Sequence, residues 1–221
     1  MITKKNILIL KKVSIKIKKK KVISNISVTA KTGDVICISG PNGIGKTTLF
    51  KGIMKHFSTT IDSGEILFND KNINNLSTDE IARLGFFYID QNPVELPGIK
   101  LIDLLRIIHN KKNNEIFEKK INEAVKKFDF NNELLYRDIN VGFSGGQKKK
   151  SEILQAYFFE PKIFLLDEID SGLDAKAMKY VITYLNSIRN KSIILFISHN
   201  KTFSDLLKPN KTIDLSKKIN E

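Results

Sequence analysis

The 221-residue chain has one cysteine and no tryptophan. A single thiol excludes a disulfide framework, and Cys37, inside the apolar run Val35 to Ser39, is expected to be a small core residue. Arginine occurs only at positions 83, 106, 137 and 189, so nearly all the positive charge is lysine. No apolar run approaches the roughly 20 residues that cross a bilayer as a helix. Lys4 and Lys5 precede only Ile7 to Leu10, too short for the core of a signal peptide. The chain is therefore expected to be soluble and intracellular, in a bacterial cytoplasm or a plastid stroma. No aromatic residue or histidine precedes Phe50, so the first segment offers no platform on which a base would stack.

The net charge is +13, which in itself points toward nucleic acid or an anionic membrane. Its form argues otherwise. The lysines come with abundant isoleucine and asparagine, as in the product of an AT-rich genome, whereas a groove for nucleic acid favours arginine and exposed aromatics. No direct nucleic-acid contact is expected. With 41% hydrophobic residues, the chain can bury one large α/β core with a smaller lobe inserted into it.

One stretch organises the rest. Gly40-Pro41-Asn42-Gly43-Ile44-Gly45-Lys46-Thr47-Thr48 fits the phosphate-loop pattern. An apolar run of strand length precedes it, and helical spacing follows from Thr47 to Lys55. Glycines in such a loop let successive backbone N–H groups turn toward an anion, and the helix start adds its positive dipole end. Lys46 is expected to contact the β- and γ-phosphates of a nucleotide, and the Thr47 hydroxyl to complete a Mg²⁺ shell.

Around this loop, Ile7 to Leu10, Val13 to Ile17 and Val22 to Val28 read as alternating antiparallel strands, separated by a charged turn at Lys18 to Lys21. Glu65 to Phe68 reads as a strand, Ser77 to Glu80 as the capped start of a short helix, and Gly85 to Ile89 as another strand ending at Asp90-Gln91. Asn92-Pro93-Val94-Glu95-Leu96-Pro97-Gly98 is expected to be an irregular hinge. Helical periodicity runs from about Ile99 to Tyr136, with Lys111 to Asn114 as its internal loop and His109 in a structural or solvated role. His56, after the phosphate-loop helix, is expected on the surface. These features divide the chain into residues 1–98, a first part of a nucleotide-binding core; 99–139, a helical subdomain; and 140–221, the second part of the core.

Phe143-Ser144-Gly145-Gly146-Gln147 runs straight into a helix from Lys148 to Tyr157, again aiming a helix N-terminus where an anion can bind. Ile163 to Leu166 is apolar on both faces, as suits a central parallel strand, and stops at Asp167-Glu168. Adjacent residues at a strand end point to opposite sides. Asp167 is thus assigned to Mg²⁺ through water, and Glu168 to orienting or deprotonating the attacking water. Ile169 to Asp174 is a tight turn into the helix Ala175 to Ile188. Ile193 to Ser198 is the last clear core strand. His199 follows it, at the edge where parallel α/β sheets bind ligands, and is expected to donate to the γ-phosphate.

Taken in order, the phosphate loop, Gln91, Phe143 to Gln147, Asp167-Glu168, Ser171 to Asp174 and His199 resemble the ATP-binding-cassette ATPases over almost the whole chain. Within that family, Gln91 to Gly98, Asn140 to Gly146 with Lys148 to Lys150, and Asp167 to Asp174 with Ala177 and Lys179 look like the SufC ATPases of the SUF iron–sulfur cluster assembly system. Gln147 and Lys150 depart from that group, where Glu and Arg are usual. The chain also ends soon after Leu215, where a further hairpin and helix are usual.

The resemblance implies a P-loop core with a parallel sheet, an antiparallel β-subdomain and an inserted helical subdomain. It implies Mg-dependent ATP hydrolysis in a transient head-to-tail homodimer. Ser144, Gly145 and Gly146 of one copy would complete the site of the other, Asp174 would align the two halves, and Gln91 would sense the γ-phosphate and Mg²⁺. SufB-like and SufD-like scaffold proteins are the implied partners. A transporter subunit and a DNA-associated cassette are the alternatives, the latter lacking its usual long coiled-coil insertion. At rest, a lysine of 148–150, best Lys149, is expected to pair with Glu168.

Overall fold

A computed structural model describes residues 5–109 and 114–218. The two larger sheets are built from opposite pairing rules. The first is antiparallel, from β1 (Ile7–Ile17), β2 (Lys20–Lys31), β4 (Thr60–Phe68) and β5 (Lys71–Asn72), in the order β2-β1-β4-β5. The second is a five-stranded parallel sheet containing β3 (Val35–Ser39), β6 (Phe86–Ile89), β9 (Ile163–Asp167), β10 (Ile193–Ile197) and β11 (Lys211–Asp214), in the order β11-β3-β10-β9-β6. Helix α1 (Lys46–Ile53) follows β3, and α2 (Thr78–Arg83) precedes β6.

Between β6 and β9 the chain forms β7 (Leu96–Lys100), α3 (Leu101–His109), α4 (Asn114–Phe128), a 3-10 turn at Asn132–Tyr136, β8 (Asp138–Ile139) and α5 (Gly145–Phe159). Helices α6 (Ala175–Ile188) and α7 (Lys201–Leu207) complete the α/β unit. This is the α/β cassette architecture expected from the sequence: a parallel sheet with an antiparallel β-subdomain and a helical insertion.

The parallel sheet divides the interior in two, and the period of two along its strands does the sorting. Val35, Cys37, Phe164, Leu166, Ile194 and Phe196 face the core shared with the helical insertion. Their neighbours Ile36, Ile38, Ile163, Leu165, Ile193, Leu195 and Ile197 face the core shared with α1 and the antiparallel sheet. Cys37 is one of these packed residues, as expected.

The two predicted N-terminal strands merge into β1 across an irregularity after Leu10, where Lys12 has φ 47. Gly64 of β4 lies opposite it with φ +85, and a Cβ there would come 2.3 Å from the Lys12 carbonyl oxygen. Backbone against backbone leaves nothing to yield, so only glycine fits.

Other sequence expectations need correction. The stretch from Asn92 to Gly98 is not wholly irregular, because Leu96 to Lys100 forms β7. It pairs with β8 only at Leu96↔Ile139 and Lys100↔Asp138, with a register shift between. Pro97 lies inside that shift, and the Gly98 N–H donates to the Asp138 carboxylate at 2.8 Å instead of to the ladder. His56 is half-buried, its Nδ1 2.7 Å from the Ser58 hydroxyl. His109 is buried against Phe117 and Phe158, in keeping with a structural role. Of the predicted loop at Lys111 to Asn114, residues 111–113 lie outside the described residues, and Asn114 opens α4.

Edge strand β11 is held to β3 by a buried carboxylate. Asp34 accepts from the Lys31 N–H at 2.9 Å, the Asn210 amide at 2.8 Å and the Lys211 ammonium at 2.7 Å. Burial alone would raise its pKa, but these donors, Lys211 first, hold it below the usual carboxylate value. A carboxyl lowered on folding contributes stability that is complete above the unfolded value and is lost as pH falls through the folded one. Asp34→Asn is therefore expected to cost about 2 kcal/mol near neutral pH. In urea titrations the gap to wild type should close below about pH 4; a gap independent of pH would show that the charge contributes nothing.

Candidate functional site

Four parallel strands end at one edge, and the predicted site residues follow those ends. β3 ends at Ser39 and leads into the 40–48 loop, β6 leads into Asp90-Gln91, β9 ends at Asp167, and β10 leads into Ser198-His199. This is the carboxyl edge of the sheet, where ligands of open parallel sheets bind.

Gly40, Gly43 and Gly45 have φ of +137, +79 and +109. Gly45 is the left-handed residue that starts α1, and a Cβ on it would stand 2.7 Å from Ile23 Cδ1 and 2.9 Å from Val22 Cγ1. The loop is thus clamped against β2. Lys46 is buried and curls back, its ammonium donating to the carbonyls of Gly40 at 2.8 Å and Pro41 at 3.1 Å. Pro41, Asn42 and Gly43 are exposed, Ile44 and Thr47 half-buried, and Thr48 buried. Beside the loop, Ile17, Lys20, Lys21, Val22, Gly43, Ile44 and Thr48 line an open cavity of about 450 Å³ with no aromatic wall.

Asp167 is fully buried. Its Oδ2 accepts from the Tyr88 hydroxyl at 3.2 Å, and its Oδ1 has no hydrogen-bond partner. Burial raises its pKa, with the Thr47 and Tyr88 hydroxyls opposing. Glu168 leaves the strand in a left-handed conformation, φ 48. The two carboxylates have separate partners, and Glu168 meets its own from a turned backbone. Glu168 Oε2 accepts from Gln91 Nε2 at 2.7 Å, and its Oε1 lies 3.5 Å from His199 Nε2. The structure thus brings Gln91, Glu168 and His199 into one cluster. Lys149 is not part of it. The expected resting pair with Glu168 is absent, since the Lys149 ammonium donates to the main-chain oxygens of Asp90 and Gln91.

Ser144 caps α5 in a reciprocal box: its hydroxyl accepts from the Gln147 N–H at 3.3 Å, and Gln147 Oε1 accepts from the Ser144 N–H at 2.8 Å. Glutamate would serve the cap equally, so the Gln147 departure is neutral for the turn. Ser144 and Gly145 are exposed, and a Cβ on Gly146 would lie 3.2 Å from the Gly172 carbonyl oxygen, so this turn abuts the 171–174 turn. Asp174 caps α6 through the Ala177 N–H at 2.7 Å. Ser144, Gly145, Gly146, Gly172 and Asp174 border one open cavity that no residue of the 40–48 loop lines.

Sequence reasoning missed four members of this region. Tyr88 holds Asp167. Asp90 takes the Lys51 ammonium at 3.1 Å. Asp170 is buried and accepts from the Ser198 hydroxyl at 3.0 Å. Glu152 accepts from the Asn140 amide at 3.5 Å, its carboxyl pushed up to about 7 by burial. The strand that carries Tyr88 was legible as an apolar run; the partners of all four depend on chain crossings.

A glycine cradle at a strand-to-helix turn, with an acidic residue ending the parallel strand next but one in the same sheet, is the arrangement of a P-loop nucleotide hydrolase. Residues 23–171 match the model of the ABC transporter family. The chain is 36% identical over 210 residues to a "Probable ATP-dependent transporter ycf16" of Antithamnion sp., covering 90% of this chain and 84% of that protein. It is 38% identical over 212 residues to a "Probable ABC transporter ATP-binding protein" of Streptococcus pyogenes serotype M3, covering 92% and 83%. The fold superposes on the "ATP binding subunit of ABC transporter" with a TM-score of 0.79 at 23% identity, covering 94% of this chain and 85% of the other. A dimeric cassette bound to ADP and Pi gives 0.75 at 22% identity, covering 94% and 93%. The chain belongs to the ABC transporter family as its ATP-binding subunit, and is an ATPase. Among the described residues no helix is long and apolar enough to cross a membrane.

Proposed function

We infer that the protein is the Mg-dependent ATPase of an iron–sulfur cluster assembly complex, similar to SufC, in which ATP-driven pairing of two copies reshapes SufB-like and SufD-like partners. The observation that carries this reading is the meeting of stretches that are far apart in sequence yet share that resemblance. Asn140 Nδ2 donates to the Val94 carbonyl at 2.9 Å, Lys148 pairs with Glu95 at 2.7 Å, and Leu96 pairs with Ile139. Around them Val94, Leu96, Ile99 and Tyr136 are exposed, an apolar surface suited to a partner.

In the catalytic cycle Gly40 to Thr48 cradles the phosphates, with Lys46 released from its own loop to the β- and γ-oxygens. Mg²⁺ fits here: the unpartnered Asp167 oxygen, the Thr47 hydroxyl and Gln91 are hard oxygen donors of the type it takes, and the ion would neutralise charge on the phosphates. Glu168 orients and deprotonates the attacking water, and His199 donates to the γ-phosphate. Ser144 and the Gly145 and Gly146 amides complete the site of the opposite copy, while Asp174 lies at the seam. Because these donors arrive only on pairing, hydrolysis and movement are coupled. The setting consistent with this role is a bacterial cytoplasm or plastid stroma.

A second reading is the energy-supplying subunit of a membrane transporter, favoured by the names of the relatives in Antithamnion sp. and Streptococcus pyogenes. Affinity purification of the tagged chain from its native cells separates the two. A soluble complex carrying iron and sulfide is expected; recovery only with integral membrane proteins would replace the first reading by the second.

A further inference from the structure

Lys149 is 3% exposed, which is unusual for an ammonium group. Its Nζ is 2.9 Å from the Asp90 carbonyl oxygen and 2.8 Å from that of Gln91. Burial pulls its pKa down, and the field of Glu152, Asp167, Asp90 and Asp170 opposes the fall. Such a residue costs free energy unless it is fully satisfied, and what satisfies it here is main chain of another element. A second tether lies alongside: Asn140 Nδ2 holds the Val94 carbonyl and is 3.5 Å from Glu152 Oε1. The backbone from 90 to 94 is thereby fixed from the side of α5, while the Gln91 side chain remains exposed and contacts Glu168 at 2.7 Å.

We propose that Lys149 is a positioning residue for hydrolysis, coupling movement of α5 to Gln91 and through it to Glu168. Lys149 lies five residues beyond Ser144 on one unbroken helix, about 7.5 Å along its axis. A shift of α5 when Ser144 engages the opposite nucleotide therefore moves the ammonium, and with it both carbonyls at 90 and 91. The side chain of Gln91 follows its own backbone, and Glu168 follows its hydrogen-bond donor. The coupling runs within one subunit, from its signature turn to its own carboxylate, so each copy's site responds to what its own helix meets in the partner. This inference rests on the roles given above to Gln91 and Glu168.

The test is a double-mutant cycle on ATP turnover in the full chain, using Lys149→Met and Gln91→Ala. Lys149→Met is expected to lower kcat about 10-fold or more, since small misplacements of a reacting group are costly. Its nucleotide affinity should stay within about threefold of wild type, because the lysine touches no phosphate. In the Gln91→Ala background the same substitution should add nothing, a non-additivity that a merely structural lysine would not produce. Asn140→Ala, which releases only the Val94 carbonyl, is expected to give a smaller fall that Gln91→Ala likewise erases, and it serves if Lys149→Met does not fold. Multiplicative losses, or an unchanged kcat in both variants, would overturn the coupling while wild-type turnover leaves the parent reading intact. A wild-type chain without ATP turnover would instead remove the parent reading.

Discussion

Lys46→Ala is expected to abolish nucleotide-dependent activity, with kcat/KM falling by at least about 10³-fold, the upper range for loss of one preorganised donor to developing charge. The reason lies in the resting geometry. The ammonium is already buried at the base of the loop, bonded to the carbonyls of Gly40 and Pro41. It lies within the loop proposed to receive the phosphates, so binding there would require only an exchange of acceptors. Alanine removes the charge and leaves a cradle of neutral N–H donors facing a polyanion. The fold should survive, because Gly40 is half-buried and Pro41 exposed, so water can take over their carbonyls. Lys46→Arg should fail nearly as badly, since a planar guanidinium does not fit where a compact ammonium sits. Titration with a fluorescent ATP analogue, followed by phosphate release, checks both; a variant retaining a substantial part of wild-type turnover would show that the loop is not the site.

The second large effect is expected from Glu168→Gln: hydrolysis slowed by about 10²–10⁴-fold, the usual contribution of a general base, with ATP binding preserved. Glutamine keeps the shape and can still accept from Gln91 through its carbonyl oxygen, so the present 2.7 Å contact survives. What disappears is the carboxylate that takes a proton from water. Since the γ-phosphate then persists, the paired form held together by Ser144 and its neighbouring amides should accumulate. Gel filtration with Mg-ATP is expected to show a dimer for Glu168→Gln and mostly monomer for wild type. Only monomer for the variant would contradict a site shared between two copies.

The site was largely legible before any coordinates because each of its parts is announced locally. An apolar run ends at Ser39 and glycines follow; another ends at Asp167; a serine with Gln147 three residues on starts a helix. These patterns express short-range physics: glycine dihedrals, capping, and period-two burial. Long-range partners gave no such notice. β7 escaped because Pro97 and Gly98 read as breakers, and only Asp138 and Ile139, some forty residues on, turn them into a bulged strand. β11 escaped because its edge position rests on Asp34 and Asn210 meeting across the chain. Within the charge run Lys148 to Lys150, Lys149 was the lysine expected to pair, but its acceptors are the main-chain oxygens of Asp90 and Gln91 and not Glu168.

The sequence alone therefore determined the phosphate-loop pattern of this ATPase, the paired carboxylates that end an apolar strand, and the expectation that both lie at one edge of a parallel sheet. Those features follow from residue type and spacing over a few neighbours. Tertiary structure decided how the parts are connected. It sent Lys149 to the main chain of 90 and 91 and left Glu168 to Gln91 and His199, because a buried ammonium must find acceptors in three dimensions and its nearest ones belong to a segment almost sixty residues earlier.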